Sequence, residues 1–420
     1  MRLLWLCNLA PSAVEETRGG KAGGGLWMDQ MLEGLRNLGA EIRILCPGST
    51  CMDGVVDSRC SFHCFRTAEP HEYQKGLEFE FRQQLKTFRP QVVHVWGTEF
   101  GHTLAMMRAC REEDLLDHTV VSIQGLCYIY AGHYAEGLPC RIRRQYTFRD
   151  FLRRDNVVQQ ARKFSIRGLH ELEALGLARH AIGRTDWDRA CVSQIRPDCT
   201  YHFCNETLRQ DFYEGSWSYA TCRTHRIFAS SSAYPVKGLH YLIQALAQVK
   251  RVYPDATLAV PGRDLLAEDT LRGRLRQTAY QRFLIRLIRQ YGLEDSVEFL
   301  GRLSAEQMKQ NYLQANVFAL PSTIENSPNS LGEAMLLGVP CVAAHVGGVT
   351  TMMEDRKEGF VYQSTAPYML AHYIMEVFAM GQKAETMGAA AAAHARRTHD
   401  PDTNLRTLVK IYEEIGREEA

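Results

Sequence analysis

Short apolar runs and longer stretches of helical periodicity alternate along most of this chain. "LLWLC" at 3–7 has the composition of a buried strand, and "GGLWMDQMLEGLRNLG" follows with the spacing of an amphipathic helix closed by Gly39. "EIRILCP" predicts a second strand, "EFEFRQQLKTFRP" a helix stopped by Pro90, and "QVVHVWG" and "HTVVSIQG" two more strands. These strands are rich in Val, Ile and Leu, which predicts a parallel sheet covered on both faces.

The rhythm breaks at 141–167, where nine Lys/Arg stand against two Asp. "PDCTYHFCNETLRQDFYEGSW" is aromatic and weakly periodic, and reads as an interdomain connection. Strand–helix–strand alternation restarts at "HRIFASSSAYPVKGLHYLIQALAQVKRVYPDATLAVPG" and continues through "SVEFLG", "NVFALPS", "PCVAAHVGG" and "EGFVY". Residues 381–420 are Ala-rich and helical, broken at Asp400-Pro401. The predicted architecture is α/β, with two doubly wound halves and a ligand crevice between them. The expected divisions are 1–217, 218–399 and a helical 400–420 that packs back on the first half.

Bulk properties narrow this picture. A chain of 420 residues is long enough for two domains. A net charge of +1 gives no global attraction to nucleic acid. Thirteen cysteines without a CxxC pair read as reduced thiols packing as small hydrophobes in a cytosolic protein. The opening apolar run is too short for a signal sequence, and no 18-residue apolar run exists to span a membrane.

Three loops at strand ends carry candidate chemistry. In "ENSPNSLGEAMLLGVP", Glu325 lies just past a buried strand and Glu333 eight positions later in a short helix. A capping box, with Ser330 as N-cap and Glu333 reaching back to it, explains Glu333 alone. An anion seat uses more of the stretch. Backbone N–H groups at 330–333 hold a diphosphate, Pro328 and Asn329 shape the approach, and the two carboxylates accept sugar hydroxyls. In "SSSAYPVKG", Lys237 precedes a helix, where it is either a solvated lysine or a point charge for phosphate. "GKAGGGLWMDQM" lets backbone approach a ligand closely or is a flexible loop, and it fits neither the dinucleotide nor the P-loop spacing.

Together these motifs resemble the family-4 glycosyltransferases of the GT-B fold, which pairs two Rossmann-like domains facing a central cleft. The E-x(7)-E motif matches Glu325 and Glu333, the phosphate lysine matches Lys237, and the N-terminal glycine pair matches Gly24 and Gly25. "VEFLGRLSAEQMKQNYLQANVFALPS" matches the stretch that packs on the nucleobase, beside Arg302 and Leu303. The resemblance implies a retaining, metal-independent hexosyltransferase with no cofactor. Glu325 would hold the transferred sugar, Glu333 the ribose and Lys237 the diphosphate. Ser330 and Leu331 would offer backbone N–H groups, with Asn329 and Ser231 completing the donor site.

Two departures stand out. Ser231 occupies the place of a usual arginine, so Arg226, Arg263 or Arg302 is expected to meet the missing charge. Gln124 stands where a histidine is common. It cannot shuttle a proton but can orient an acceptor hydroxyl or the donor sugar in the catalytic site, with His94 and His133 as further candidates. The expected substrates are a nucleotide sugar, with uridine as the base, and a glycan or lipid-linked acceptor. The Tyr-rich 124–141 suits stacking on a sugar or covering such an acceptor. The basic 141–167, with Phe148, Phe151, Leu152 and Val158 among its arginines, is either a solvated face or a contact with an anionic inner membrane surface. An epimerase or hydrolase of the same fold, or a nucleotide-sugar-binding protein without catalysis, would share these motifs.

Overall fold

The computed structural model describes residues 1–20, 26–231, 234–267 and 270–416, without the side chains of 26–27 and 271–272. The chain divides into two compact units. The first comprises Met1–Ala131, Lys163–Thr207 and the C-terminal segment from His399, and the second Gly132–Arg162 and Leu208–Thr398.

The first unit holds eight strands: β1 (Arg2–Cys7), β2 (Glu41–Gly48), β3 (Met52–Asp57), β4 (Cys60–Arg66), β5 (Val92–Trp96), β6 (Thr119–Ser122), β7 (His180–Gly183) and β8 (Thr200–Phe203). Their order is β3-β4-β2-β1-β5-β6-β7-β8, parallel except that β3 pairs antiparallel with β4. The central strands are buried on both faces, as their continuous apolar runs predict. The β3–β4 hairpin was not expected. Its first strand, "MDGVVD", is polar and Gly-bearing because it is an exposed edge with little to bury.

The second unit holds six parallel strands: β9 (Arg226–Phe228), β10 (Thr257–Val260), β11 (Val297–Phe299), β12 (Val317–Leu320), β13 (Cys341–His345) and β14 (Phe360–Gln363). The order β11-β10-β9-β12-β13-β14 is that of a doubly wound dinucleotide-binding sheet. The two units are the Rossmann-like domains of a GT-B fold.

Two segments fall in a different unit from the one expected. Residues 208–217 join the second unit because Phe212 and Trp217 are buried in its core, with Trp217 Nε1 donating to the Ala315 carbonyl at 2.6 Å. Residues 132–162 join it as well. Buried Asp150 caps the helix Ala279–Gln290 by accepting from the Ala279 amide at 2.9 Å. The helix Pro401–Gly416 lies on the first unit, where Tyr412 contacts Trp5 Nε1 at 3.1 Å and His94 Nδ1 at 2.5 Å. Among the described residues no helix is long and apolar enough to cross a membrane.

Candidate functional site

In the second unit the strand order reverses between β9 and β12, so a crevice opens outside their carboxyl ends. The segments leaving those two strands are the ones that carry Lys237 and Glu325. Gly238 has φ +70°, and a Cβ there would sit 1.8 Å from the Pro321 carbonyl oxygen. Only glycine permits that approach. The Thr323 amide donates to the Val236 carbonyl at 2.9 Å, and the Thr323 hydroxyl to the His133 carbonyl at 3.2 Å. The two loops are thereby stitched backbone to backbone.

Lys237 Nζ donates to Glu325 Oε1 at 2.6 Å, and Ser322 Oγ donates to the same oxygen at 2.7 Å. Lys237 is therefore not a solvated surface lysine. Glu325 is 5% exposed. Its backbone is fixed from the far side, since Gly347, at φ +47°, could not carry a Cβ, which would lie 1.8 Å from the Glu325 carbonyl oxygen. The Gly348 amide donates to that oxygen at 3.1 Å. An ammonium has three N–H donors, so Lys237 can hold Glu325 and still address an anion.

Glu333 is not part of a capping box. The helix Asn329–Leu336 begins after Pro328, with no side-chain cap. Glu333 Oε1 instead accepts from Arg209 Nε at 2.8 Å and Nη2 at 2.7 Å. Burial pushes the Glu333 carboxyl up to about 7, against the lowering effect of Arg209. The Leu331 and Gly332 amides donate to the Pro328 carbonyl at 2.9 and 3.3 Å, which narrows the anion seat expected at 330–333. The Ser330 carbonyl accepts from the Tyr312 hydroxyl at 3.0 Å. The buried Asn329 Oδ1 has no hydrogen-bond partner, so an acceptor at the helix start is left for a ligand donor.

Arg209 was missed by sequence reasoning. It lies in the stretch read as a connection, 124 positions from its partner, where no local pattern marks it. Of the three substitutes for the absent arginine, Arg226 is excluded. It opens β9, at the end opposite the crevice, and is buried against Asn311 and Glu298. Arg263 follows β10 at the carboxyl end, beside a cavity of about 350 Å³ that Tyr134, Asp150, Tyr234 and Tyr280 also line. Arg302 is exposed, and Leu303 packs on the second-unit core. They follow a backbone bridge between Gly262 and Gly301 that zips the loops after β10 and β11. Ser231 is half-buried at the exit of β9.

In the first unit the order reverses between β1 and β5. Gly24 and Gly25 lie outside the described residues. The reversal carries Asn8 and Glu99, with Asn8 Nδ2 donating to Glu99 Oε2 at 2.7 Å and His102 Nε2 meeting Asn8 Oδ1 at 2.8 Å. Burial raises the Glu99 carboxyl and lowers His102 to about 3, so both groups are biased toward neutrality. Close behind, buried Glu171 accepts from Thr98 Oγ1 at 2.6 Å and the Tyr128 amide at 3.1 Å, and burial raises it to about 7. None of these was marked in advance.

Gln124 and His133 fall in different units. The Gln124 amide donates to Glu206 and accepts from Arg184 at 3.3 Å, which fixes its orientation. His133 Nδ1 meets Glu136 Oε2 at 2.6 Å, in the second unit. His94 is a core residue. It is fully buried between Tyr412 and Ser122, and burial lowers it to about 3.

Residues 223–394 match the model of the family described as "Glycosyl transferases group 1". The chain is similar to a D-inositol 3-phosphate glycosyltransferase of Segniliparus rotundus, 29% identical over 163 residues, or 39% of this chain and 34% of that protein. It is also similar to a GDP-mannose-dependent α-(1-6)-phosphatidylinositol monomannoside mannosyltransferase of Mycolicibacterium smegmatis, 29% identical over 38% of this chain and 40% of the other. The match thus spans less than half the length of either relative. Among solved structures, Anabaena HepE in complex with UDP-glucose superposes with a TM-score of 0.68 and 18% identity, covering 99% of this chain and 100% of that one.

Proposed function

We propose that the chain is a glycosyltransferase that binds a nucleoside-diphosphate sugar at the strand reversal of its second unit. It transfers the sugar, with retained anomeric configuration, to a hydroxyl of a glycan or lipid-linked acceptor. The observation that carries this reading is the Lys237–Glu325 pair, set between loops whose approach depends on Gly238 and Gly347. The family match over 223–394 covers both halves of that pair.

Chemically, breaking the bond from the anomeric carbon to the diphosphate places negative charge on the leaving oxygen. The Lys237 ammonium, with Arg263 on the neighbouring strand end, meets that charge as it grows. Glu325 orients the sugar through its hydroxyls, and Glu333, as carboxylate, accepts from the ribose. Because side-chain cations stabilise the leaving group, we propose that transfer needs no divalent metal. Activity lost in EDTA and restored by magnesium or manganese would contradict this.

The HepE complex supports a uridine donor, whereas the mannosyltransferase relative uses GDP-mannose, and Arg302 with Leu303 would flank either base. A thermal-shift panel of UDP- and GDP-sugars tests both the donor class and the base. UDP-glucose should raise the melting temperature in proportion to the logarithm of its concentration, and GDP-mannose should do so less. No shift with any nucleotide sugar would refute the reading. Transfer requires an added acceptor, which separates it from epimerisation, hydrolysis or mere binding.

We further propose contact with an anionic membrane face through the helix Phe148–Arg153. Phe148, Phe151 and Leu152 are 56, 71 and 65% exposed, beside Arg153 and Arg154. Its neighbour Arg149 is held by Asp150 and Asp155 and does not contribute. Equal recovery of parent and Phe151→Ser protein on anionic vesicles would discard the idea.

A further inference from the structure

At the edge of the first unit's sheet, three ligand-type side chains from distant parts of the chain converge. Cys51 lies in the turn between β2 and β3, His63 in the middle of β4, and Glu80 on the helix Gly76–Phe88. Their ligand atoms all lie within 4.8 Å of one another, the one such grouping of three or more among the described residues. Cys51 Sγ is 3.2 Å from Glu80 Oε1, and His63 Nε2 is 2.7 Å from the same oxygen. The other ring nitrogen, Nδ1, faces Asp53 Oδ1 at 3.2 Å, across the β3–β4 pairing of Asp53 with His63. Arg43 Nη2 donates to the same Asp53 oxygen.

The imidazole sets the problem. A neutral ring has one N–H, yet both of its nitrogens face carboxylate oxygens. With Nδ1–H donated to Asp53, the Nε2 lone pair points at Glu80 Oε1, and two acceptors at 2.7 Å need a proton or a cation between them. A proton alone would make the ring an imidazolium. The Cys51 thiol donates to the same Glu80 oxygen, so a sulfur, a nitrogen and an oxygen ligand atom meet at one point.

We propose that Cys51, His63 and Glu80 bind a zinc-type divalent cation, with water as the fourth ligand and Asp53 as the carboxylate that orients His63. One thiolate, one imidazole and one carboxylate suit zinc rather than magnesium or calcium, which take oxygen ligands. Tetrahedral zinc spaces its ligand atoms by about 3.3–3.8 Å, so on loading the partly exposed Glu80 would draw back from His63 and Cys51. A thiol binds zinc only as the thiolate, so loading releases a proton and weakens as pH falls. The bound cation clamps the exposed edge hairpin to the helix beneath it. This site is independent of the donor site.

The test is titration of the metal-free full-length chain with cobalt(II), followed by competition with zinc. The expected result is one cobalt per chain, a thiolate-to-cobalt charge-transfer band and the spectrum of four-coordinate cobalt, all abolished by zinc. Cys51→Ser, at an exposed position, should remove the band and weaken zinc by at least about 100-fold, and Glu80→Gln should weaken it similarly. Asp53→Asn should keep the band and weaken zinc by roughly 10-fold, as expected of an orienting partner. Cys64→Ala, which alters a buried neighbouring thiol, should change neither. Absence of stoichiometric binding, or a charge-transfer band that survives Cys51→Ser, would overturn the assignment.

Discussion

The strand reversal of the second unit is lined by ions, Lys237 on Glu325 and Arg209 on Glu333. The corresponding reversal of the first unit is lined by Asn8, Glu99 and His102, whose acid is raised and whose imidazole is lowered by burial. Both are the crevices in which doubly wound sheets bind ligands. Under the proposed function, one would meet a charged diphosphate and the other would exchange hydrogen bonds with uncharged hydroxyls. On that reading the same topology would serve donor and acceptor because the loops differ, not the sheets.

The backbone offers the largest handle on this comparison. Gly238→Ala forces a methyl against the Pro321 carbonyl at a positive φ. It should cost roughly 2–4 kcal/mol of stability and remove detectable donor binding. Gly97→Ala is the matching change in the first unit, where the obstructing atoms belong to the Asn8 and Glu99 side chains. It should impair acceptor use while leaving donor affinity intact. Calorimetry on both variants, with equal donor losses, would break the comparison.

The next effect is catalytic. Glu325→Gln keeps the shape of the site but removes the charge that holds Lys237, and should lower kcat by about 10²-fold with little change in UDP affinity. Steady-state kinetics at the parent's rate would leave Glu325 without a role.

Smaller effects distinguish two of the acids that burial raises, Glu333 and Glu99. Glu333 accepts from a ribose more strongly as a carboxylate than as an acid, so donor affinity should rise by up to about 10-fold between pH 6 and 8, and Glu333→Gln should flatten that profile. Its folded value of about 7 exceeds its ordinary 4.5, so the folded state keeps this proton longer than the unfolded chain. The group's contribution to stability therefore falls as pH rises through that window. Glu99→Gln should raise KM for the acceptor by roughly 10-fold, one hydrogen bond's worth, without moving donor affinity. A shift in donor affinity instead would merge the two crevices into one.

The second unit was largely legible in the sequence because its chemistry is local. Lys237 precedes its glycine directly, and Glu325 and Glu333 lie on one loop and the helix after it. What escaped depends on long-range pairing. Arg209 is recognised only through Glu333, and Asn8 with Glu99 only once β1 and β5 lie side by side. The capping-box alternative fails although Ser330 and Glu333 have the right spacing, because Glu333 pairs with a guanidinium instead. The polar edge strand β3 likewise carries no apolar signal from which to predict it.

The central claim is that Lys237, positioned by Glu325, holds a diphosphate. Calorimetric binding of UDP to the parent and to Lys237→Ala, without metal, tests it most directly. Loss of one charge-assisted contact should weaken UDP by about 10–100-fold, and the loss should shrink as salt rises. Equal UDP affinity in the two proteins would contradict the account.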